Sequence, residues 1–146
     1  MKRVKVLVLF GGKSAEHEIS VQSATSIIEA IDTALFEVIP VGISKSGRWC
    51  APVFPQELLR RGFTAVPEPD VQVDAGAIGQ ILNLGEVVFP VLHGPFGEDG
   101  SMQGLLEIFD KPYVGAGVIG SALGMDKIYM KMIFKHLGLP IAKNIS

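Results

Sequence analysis

The sequence predicts an α/β fold: an open, mainly parallel, doubly wound sheet with helices on both faces. Three observations predict it. Apolar runs of strand length alternate with segments whose apolar residues recur at i, i+3, i+4 and i+7. The two strongest apolar runs stop at glycine, at Gly11-Gly12 and at His93-Gly94, and a helical pattern follows each. Strand, helix, strand, helix in that order calls for parallel pairing with right-handed crossovers. The composition fits: 146 residues, 48% hydrophobic and 19% charged, describe one domain with a substantial core and not a disordered chain.

Taken in order, Val4 to Phe10 is rich in β-branched residues and reads as a buried strand. Ala24, Ile27, Ile28 and Ile31 form one apolar stripe of a helix. Phe36 to Ile43 is a second strand, and Pro40 within it predicts an edge position or a bulge. Ser46-Gly47 signals a turn, and Arg48-Trp49-Cys50 a short returning strand. Residues 51–85 carry four prolines and weak periodicity. They read as a surface excursion, with one or two helical turns at Gln56 to Arg61. Glu86 to Leu92 is a third buried strand. Met102, Leu105, Leu106 and Phe109 mark a helix with Asp99 or Ser101 as its cap. A short strand at Pro112 to Val114 and a short helix at Val118 to Leu123 follow. Met130, Ile133, Phe134 and Leu137 mark a last helix, with Asp126 as N-cap, Gly138 as the stop and Pro140 beyond it.

Charge and composition narrow the function. Lys and Arg number 13 against 15 Asp and Glu, so the net charge of −2 argues against nucleic acid or an anionic membrane as the main partner. The single Cys50 cannot form an internal disulfide, and the chain reads as cytoplasmic. Val6 to Phe10 is shorter than the apolar stretch of a signal peptide. The uncharged run Pro112 to Met125 holds four glycines and falls short of a membrane span.

In doubly wound sheets, ligands bind beyond the carboxyl ends of the strands, which places Gly11-Gly12 and His93-Gly94 on one rim. Gly12-Lys13-Ser14 matches the end of a phosphate loop, but Leu7 occupies the position of its first glycine. The G-x-G-x-x-G pattern fails at Lys13 and Glu16. What remains is a tight turn or a helix start that holds an anion through backbone amides. Glu16-His17-Glu18 reads as acids complementing a helix dipole, or as a carboxylate aimed over the rim at a cation. No second histidine stands four residues on, so this is not a zinc helix. His93, flanked by glycines at a strand end, is either structural or functional. Glu98 and Asp99 are helix-start acids, surface groups or orienters of His93. Lys127 in the first turn of a helix opposes the dipole, so it is a solvated lysine or a contact for a phosphate.

Together, Gly11 to Ser20 (GGKSAEHEIS), Leu92 to Glu107 (LHGPFGEDGSMQGLLE) and Met125 to Lys127 (MDK) resemble the D-alanine:D-alanine ligases, in order and in approximate spacing. The resemblance covers the whole chain and is loosest between Ala51 and Gly85. It is closer to ligases that make a D-Ala-D-Ala end than to variants that make D-Ala-D-lactate.

The resemblance implies a three-domain ATP-grasp enzyme whose N-terminal domain is a Rossmann-like sheet. Such an enzyme uses ATP to phosphorylate one D-alanine, joins it to a second, and supplies bacterial peptidoglycan. By motif position it implies that Glu16 receives the ammonium of the first D-alanine and Ile19 meets its methyl group. It places His93 beside that substrate and the acyl centre, and has Lys127 reach the ATP phosphates. It further implies Mg²⁺, held mainly outside this chain, and a homodimer joined through this region. On this reading residues 1–124 are the substrate-binding domain, and 125–146 begin the connection to a central ATP-grasp domain. The chain is then the N-terminal part of a longer enzyme, inactive alone, with no metal ligands of its own. Two other classes remain open on the residues themselves: a stand-alone nucleotide- or small-ligand-binding α/β module, and an interaction domain.

Overall fold

The computed structural model describes residues 2–52, 62–69 and 75–143. Strands β1 (Val4–Gly11), β2 (Phe36–Ile43), β3 (Trp49–Pro52) and β4 (Val87–Pro90) form one sheet in the order β3-β2-β1-β4. β1 pairs parallel with both β2 and β4, and β3 runs antiparallel to β2. The helices are α1 (His17–Ala30), α2 (Ala75–Leu82), α3 (Ser101–Ile108), α4 (Val118–Met125) and α5 (Lys127–His136).

β1 is central, and its alternating side chains divide the core in two. Val6, Val8 and Phe10 pack against Val21, Ala24 and Ile28 of α1. Leu7 and Leu9 face the other way, onto Ile81 and Leu82 of α2 and Met102 and Leu106 of α3. The expected α/β class, open sheet and two covered faces are therefore present. Each fully buried Leu, Val or Phe adds about 1.5–3 kcal/mol of apolar burial.

Several expectations need correction. β2 is an interior strand despite Pro40. Ile43 O accepts from Gly12 N of the β1 turn, so by strand alternation the missing N–H of Pro40 points to the β3 side. There it lies beyond the Val41–Pro52 pair and, among the described residues, breaks no ladder bond. The ladder is also irregular between Val41 and Ile43, so the bulge expectation holds nearby. Pro112 to Val114 forms only an isolated parallel bridge, Tyr113 to Val88, at the outer side of β4.

The 51–85 excursion is not all surface. Val66 is buried, and residues 75–82 form a helix that sequence reading misses, because Gly76 and Gly79 weaken its helical propensity. The helical turns expected at Gln56 to Arg61 lie outside the described residues. The helix start at 101 is capped by neither candidate: Gly100 holds the cap position in the left-handed region. Asp99 instead accepts from the Ser101 amide, one residue inside.

At the last helix both expected signals are present. Asp126 Oδ1 accepts from the amides of Ile128 and Tyr129. Gly138, with φ +71, closes the end through bonds from Gly138 N to Lys135 O and from Leu139 N to Phe134 O.

Candidate functional site at the carboxyl rim of the sheet

The turn from β1 into α1 is built on Gly11. Its φ is +91, and a Cβ there would lie 2.3 Å from Ile43 O, so only glycine fits. The turn brings Glu16 to the helix cap position, where its carboxylate makes no capping bond and stays exposed.

His17 behaves quite differently from its two acidic neighbours. It is fully buried, with Nδ1 2.8 Å from Gly12 O and Nε2 accepting from Val66 N at 3.0 Å. A carbonyl only accepts and an amide only donates, so these two bonds define the Nδ1–H tautomer. His17 is thus a strut between the turn and Val66, not one of three similar charges. The signal for this was present in the sequence: His17, Ser20, Val21, Ala24 and Ile28 make the buried stripe of α1 at helical spacing. Glu18 faces out and pairs with Lys45, whose hydrogen bond holds the Glu18 carboxyl below the usual range.

The second half of the rim is the segment after β4. Gly94 (φ +68) turns the chain, and a Cβ on it would lie 3.2 Å from Ser14 Cβ and 3.3 Å from Glu16 Oε2. The two motifs therefore meet here: the Glu16 carboxylate rests against the residue that follows His93. Glu98 Oε2 accepts from Gly94 N at 2.6 Å, and Asp99 Oδ2 accepts from Phe96 N at 2.8 Å. The second bond steadies Phe96, whose φ of +68 is unusual for a residue with a side chain. Burial pushes the Asp99 carboxyl up, but the amides of Phe96 and Ser101 outweigh it and leave it below the ordinary range. The two acids thus orient the loop that carries His93; neither bonds the His93 ring. Lys13 reaches across from the first turn, its Nζ 5.5 Å from the centre of the Phe96 ring.

Two cavities open on this rim. One, of about 130 Å³, lies beneath Lys13 and Phe96 over Trp49, Leu92 and Met102. The other is a cleft of about 550 Å³ between α1, the 91–98 segment and α4, lined by Ser23, Ile27, Glu98, Gln103 and Ser121 among others. His93 lines both. In the cleft wall Gln103 donates to Gly97 O at 3.0 Å, while its own carbonyl oxygen is buried without a partner among the described residues.

Of the residues singled out from sequence, Glu16 comes close to Gly94, the residue after His93, whereas His93 lines both cavities and Glu16 lines neither. Ile19 lies one turn along α1 from Glu16 and is 52% exposed. Lys127 opens α5, a helix that packs with α4; it is exposed and lines neither cavity. Sequence reading missed Ser23 as a rim residue. It stands outside the periodic stripe of α1, and what marks it is its partner across the fold.

Among the described residues, no three His, Cys, Asp or Glu side chains converge as a metal set, so they do not by themselves fit the Mg²⁺ that the resemblance implies. No helix among them is long and apolar enough to cross a membrane.

A family model described as the D-ala D-ala ligase N-terminus matches residues 5–116. The chain belongs to that family. As a D-Ala-D-Ala ligase N-terminus it contains the Glu16 turn and the His93 loop within the matched residues, whereas Lys127 falls beyond them. The D-alanine–D-alanine ligase of Natranaerobius thermophilus is 46% identical across 100% of this chain, which spans 42% of that protein. A solved D-alanine-D-alanine ligase from Coxiella burnetii superposes with a TM-score of 0.80 at 33% identity, over 98% of this chain and 44% of that one. The VanG D-Ala:D-Ser ligase from Enterococcus faecalis gives 0.74 at 30%, over 97% of this chain and 44% of that one. The chain thus spans less than half the length of these relatives.

Proposed function

We propose that this domain is the N-terminal part of an ATP-dependent ligase that joins two D-alanines for peptidoglycan precursor synthesis in the cytoplasm. In this reading ATP phosphorylates the carboxylate of the first D-alanine. The amine of the second attacks the acyl phosphate, and the dipeptide, ADP and phosphate leave. Glu16 receives the ammonium of the first D-alanine, Ile19 meets its methyl group, and His93 stands beside the acyl centre. Lys127 contacts the ATP phosphates as a point charge that supports phosphoryl transfer. Mg²⁺ and the remaining ATP contacts belong to the ATP-grasp portion of the enzyme, and the domain pairs with a second copy as a homodimer. Residues 1–124 form the substrate-binding unit, with 125–146 leading toward the ATP-grasp portion.

The observation that carries this reading is the meeting of the Glu16 carboxylate with Gly94, next to His93, beyond the carboxyl ends of β1 and β4. A substrate ammonium taken out of water needs such a carboxylate, since an unpaired buried charge costs about 3–5 kcal/mol. The exposure of Glu16 and its lack of a capping role leave it available for that task.

Glu16→Gln in the full-length ligase is expected to lower kcat/KM for the first D-alanine by about 10²–10⁴-fold, each factor of ten being 1.36 kcal/mol. An unchanged kcat/KM removes Glu16 from the site. The 146-residue chain alone is expected to make no D-Ala-D-Ala from ATP; ADP release coupled to dipeptide formation by it refutes the division of labour. Tight nucleotide binding by this chain alone points instead to a nucleotide-binding module.

A further inference from the structure

We propose that Ser23 is a positioning residue for His93, fixing which ring nitrogen faces the site. The inference rests on the ligase reading above and adds to it a group that orients the histidine.

The segment that carries His93 is pinned on both sides of it. Upstream, Ser20 Oγ accepts from Gly11 N at 2.7 Å and donates to Val91 O, tying the ends of β1 and β4 together through α1. Downstream, Glu98 holds Gly94 N. With the backbone held at 91 and 94, the freedom left to His93 is rotation of its side chain. Ser23 removes it: its Oγ lies 3.2 Å from His93 Nε2.

The spacing explains why one helix can do both jobs. Ser20 and Ser23 stand at i and i+3 on a single face of α1, about 4.5 Å apart along its axis. Their partners, the Val91 carbonyl oxygen and the His93 ring, lie two residues apart in the chain just after β4, so one helix face serves both. With Nε2 engaged by Ser23, Nδ1 is the ring nitrogen left for substrate.

A purely structural role does not account for Ser23. It is only half-buried, stands outside the stripe that packs on the sheet, and forms helix less well than alanine. Ser23→Ala is therefore expected to leave the melting temperature unchanged or slightly raised.

The test has two readouts. In the ¹⁵N-labelled chain, long-range proton–nitrogen spectra of the His93 ring should show a changed tautomer balance in Ser23→Ala and a preserved one in Ser23→Thr. In the full-length ligase, Ser23→Ala should lower kcat about tenfold, the scale of one lost oriented hydrogen bond, with a smaller change in KM for D-alanine. Ser23→Thr should restore most of it, and Ser23→Ala should add nothing in a His93→Ala background. An unchanged ring spectrum and unchanged kcat in Ser23→Ala, beside an impaired His93→Ala, overturn the role of Ser23 alone. Full activity in His93→Ala overturns it together with the reading of the site.

Discussion

The two ends of the chain are built on opposite terms. In β1 the residues from Val6 to Gly11 are all buried, and Leu7, Val8, Leu9 and Phe10 have no exposed surface. In α4 and α5 no residue is buried, although the segment carries many apolar side chains. Ile119 is 75% exposed, Met132 62% and Leu137 65%. Yet α5 has the better-defined ends, with the Asp126 cap at one and the Gly138 closure at the other. Local hydrogen bonding sets where a helix starts and stops, whereas burial sets how much energy its side chains contribute. The rim site depends on the first kind of region for rigidity and on turns between elements for chemistry.

This contrast can be broken by substitution, and the largest effect is expected in the sheet. Leu9→Ala should destabilise by about 2–5 kcal/mol in urea unfolding, whereas Ile128→Ala on the exposed face of α5 should stay within about 0.5 kcal/mol. Equal effects at the two positions contradict the division. Next comes Gly11→Ala. It places a methyl group against Ile43 O in a backbone region that resists side chains, and a loss of about 1–3 kcal/mol is expected. A neutral result means that the β1–α1 turn is looser than its geometry. Asp126→Ala should cost about 1 kcal/mol and act locally, speeding amide exchange at Ile128 and Tyr129 while leaving β1 protected. The smallest effect concerns pH. The folded Asp99 carboxyl lies below its ordinary value, so its contribution is present above about pH 4 and is lost as pH falls through the lower folded value. Asp99→Asn should flatten the stability profile in that acid range, and an identical profile removes Asp99 as a loop anchor.

The parts that sequence reading recovered share one property: their signals are short in range. The strand at Val4, the stripe of Ala24 and Ile28, the Asp126 cap and the Gly138 stop are each set by residues within a few positions. The meeting of the two glycine-rich motifs was also legible, because β1 and β4 pair in parallel and their carboxyl ends share a rim. What was missed depends on partners far along the chain. The helix at 75–82 draws on burial of Ile81 and Leu82 and not on its glycine-bearing sequence. Of the two readings of Pro40, the edge position failed because the place of β2 in the sheet order was not knowable from β2 itself.

The chain's periodicities and caps alone determined an α/β domain with its two glycine-rich turns on one rim, and its motifs determined which residues to look for there. Only the tertiary structure decided that the partner of the inward-facing His17 is Val66, 49 residues away, and that Ser23 holds His93, 70 residues away. It also decided that Glu16 lies against Gly94. The reason is physical: an apolar stripe is repeated along the chain and survives local reading. A polar side chain takes its role from one directional bond, and its partner is named only when the chain has folded.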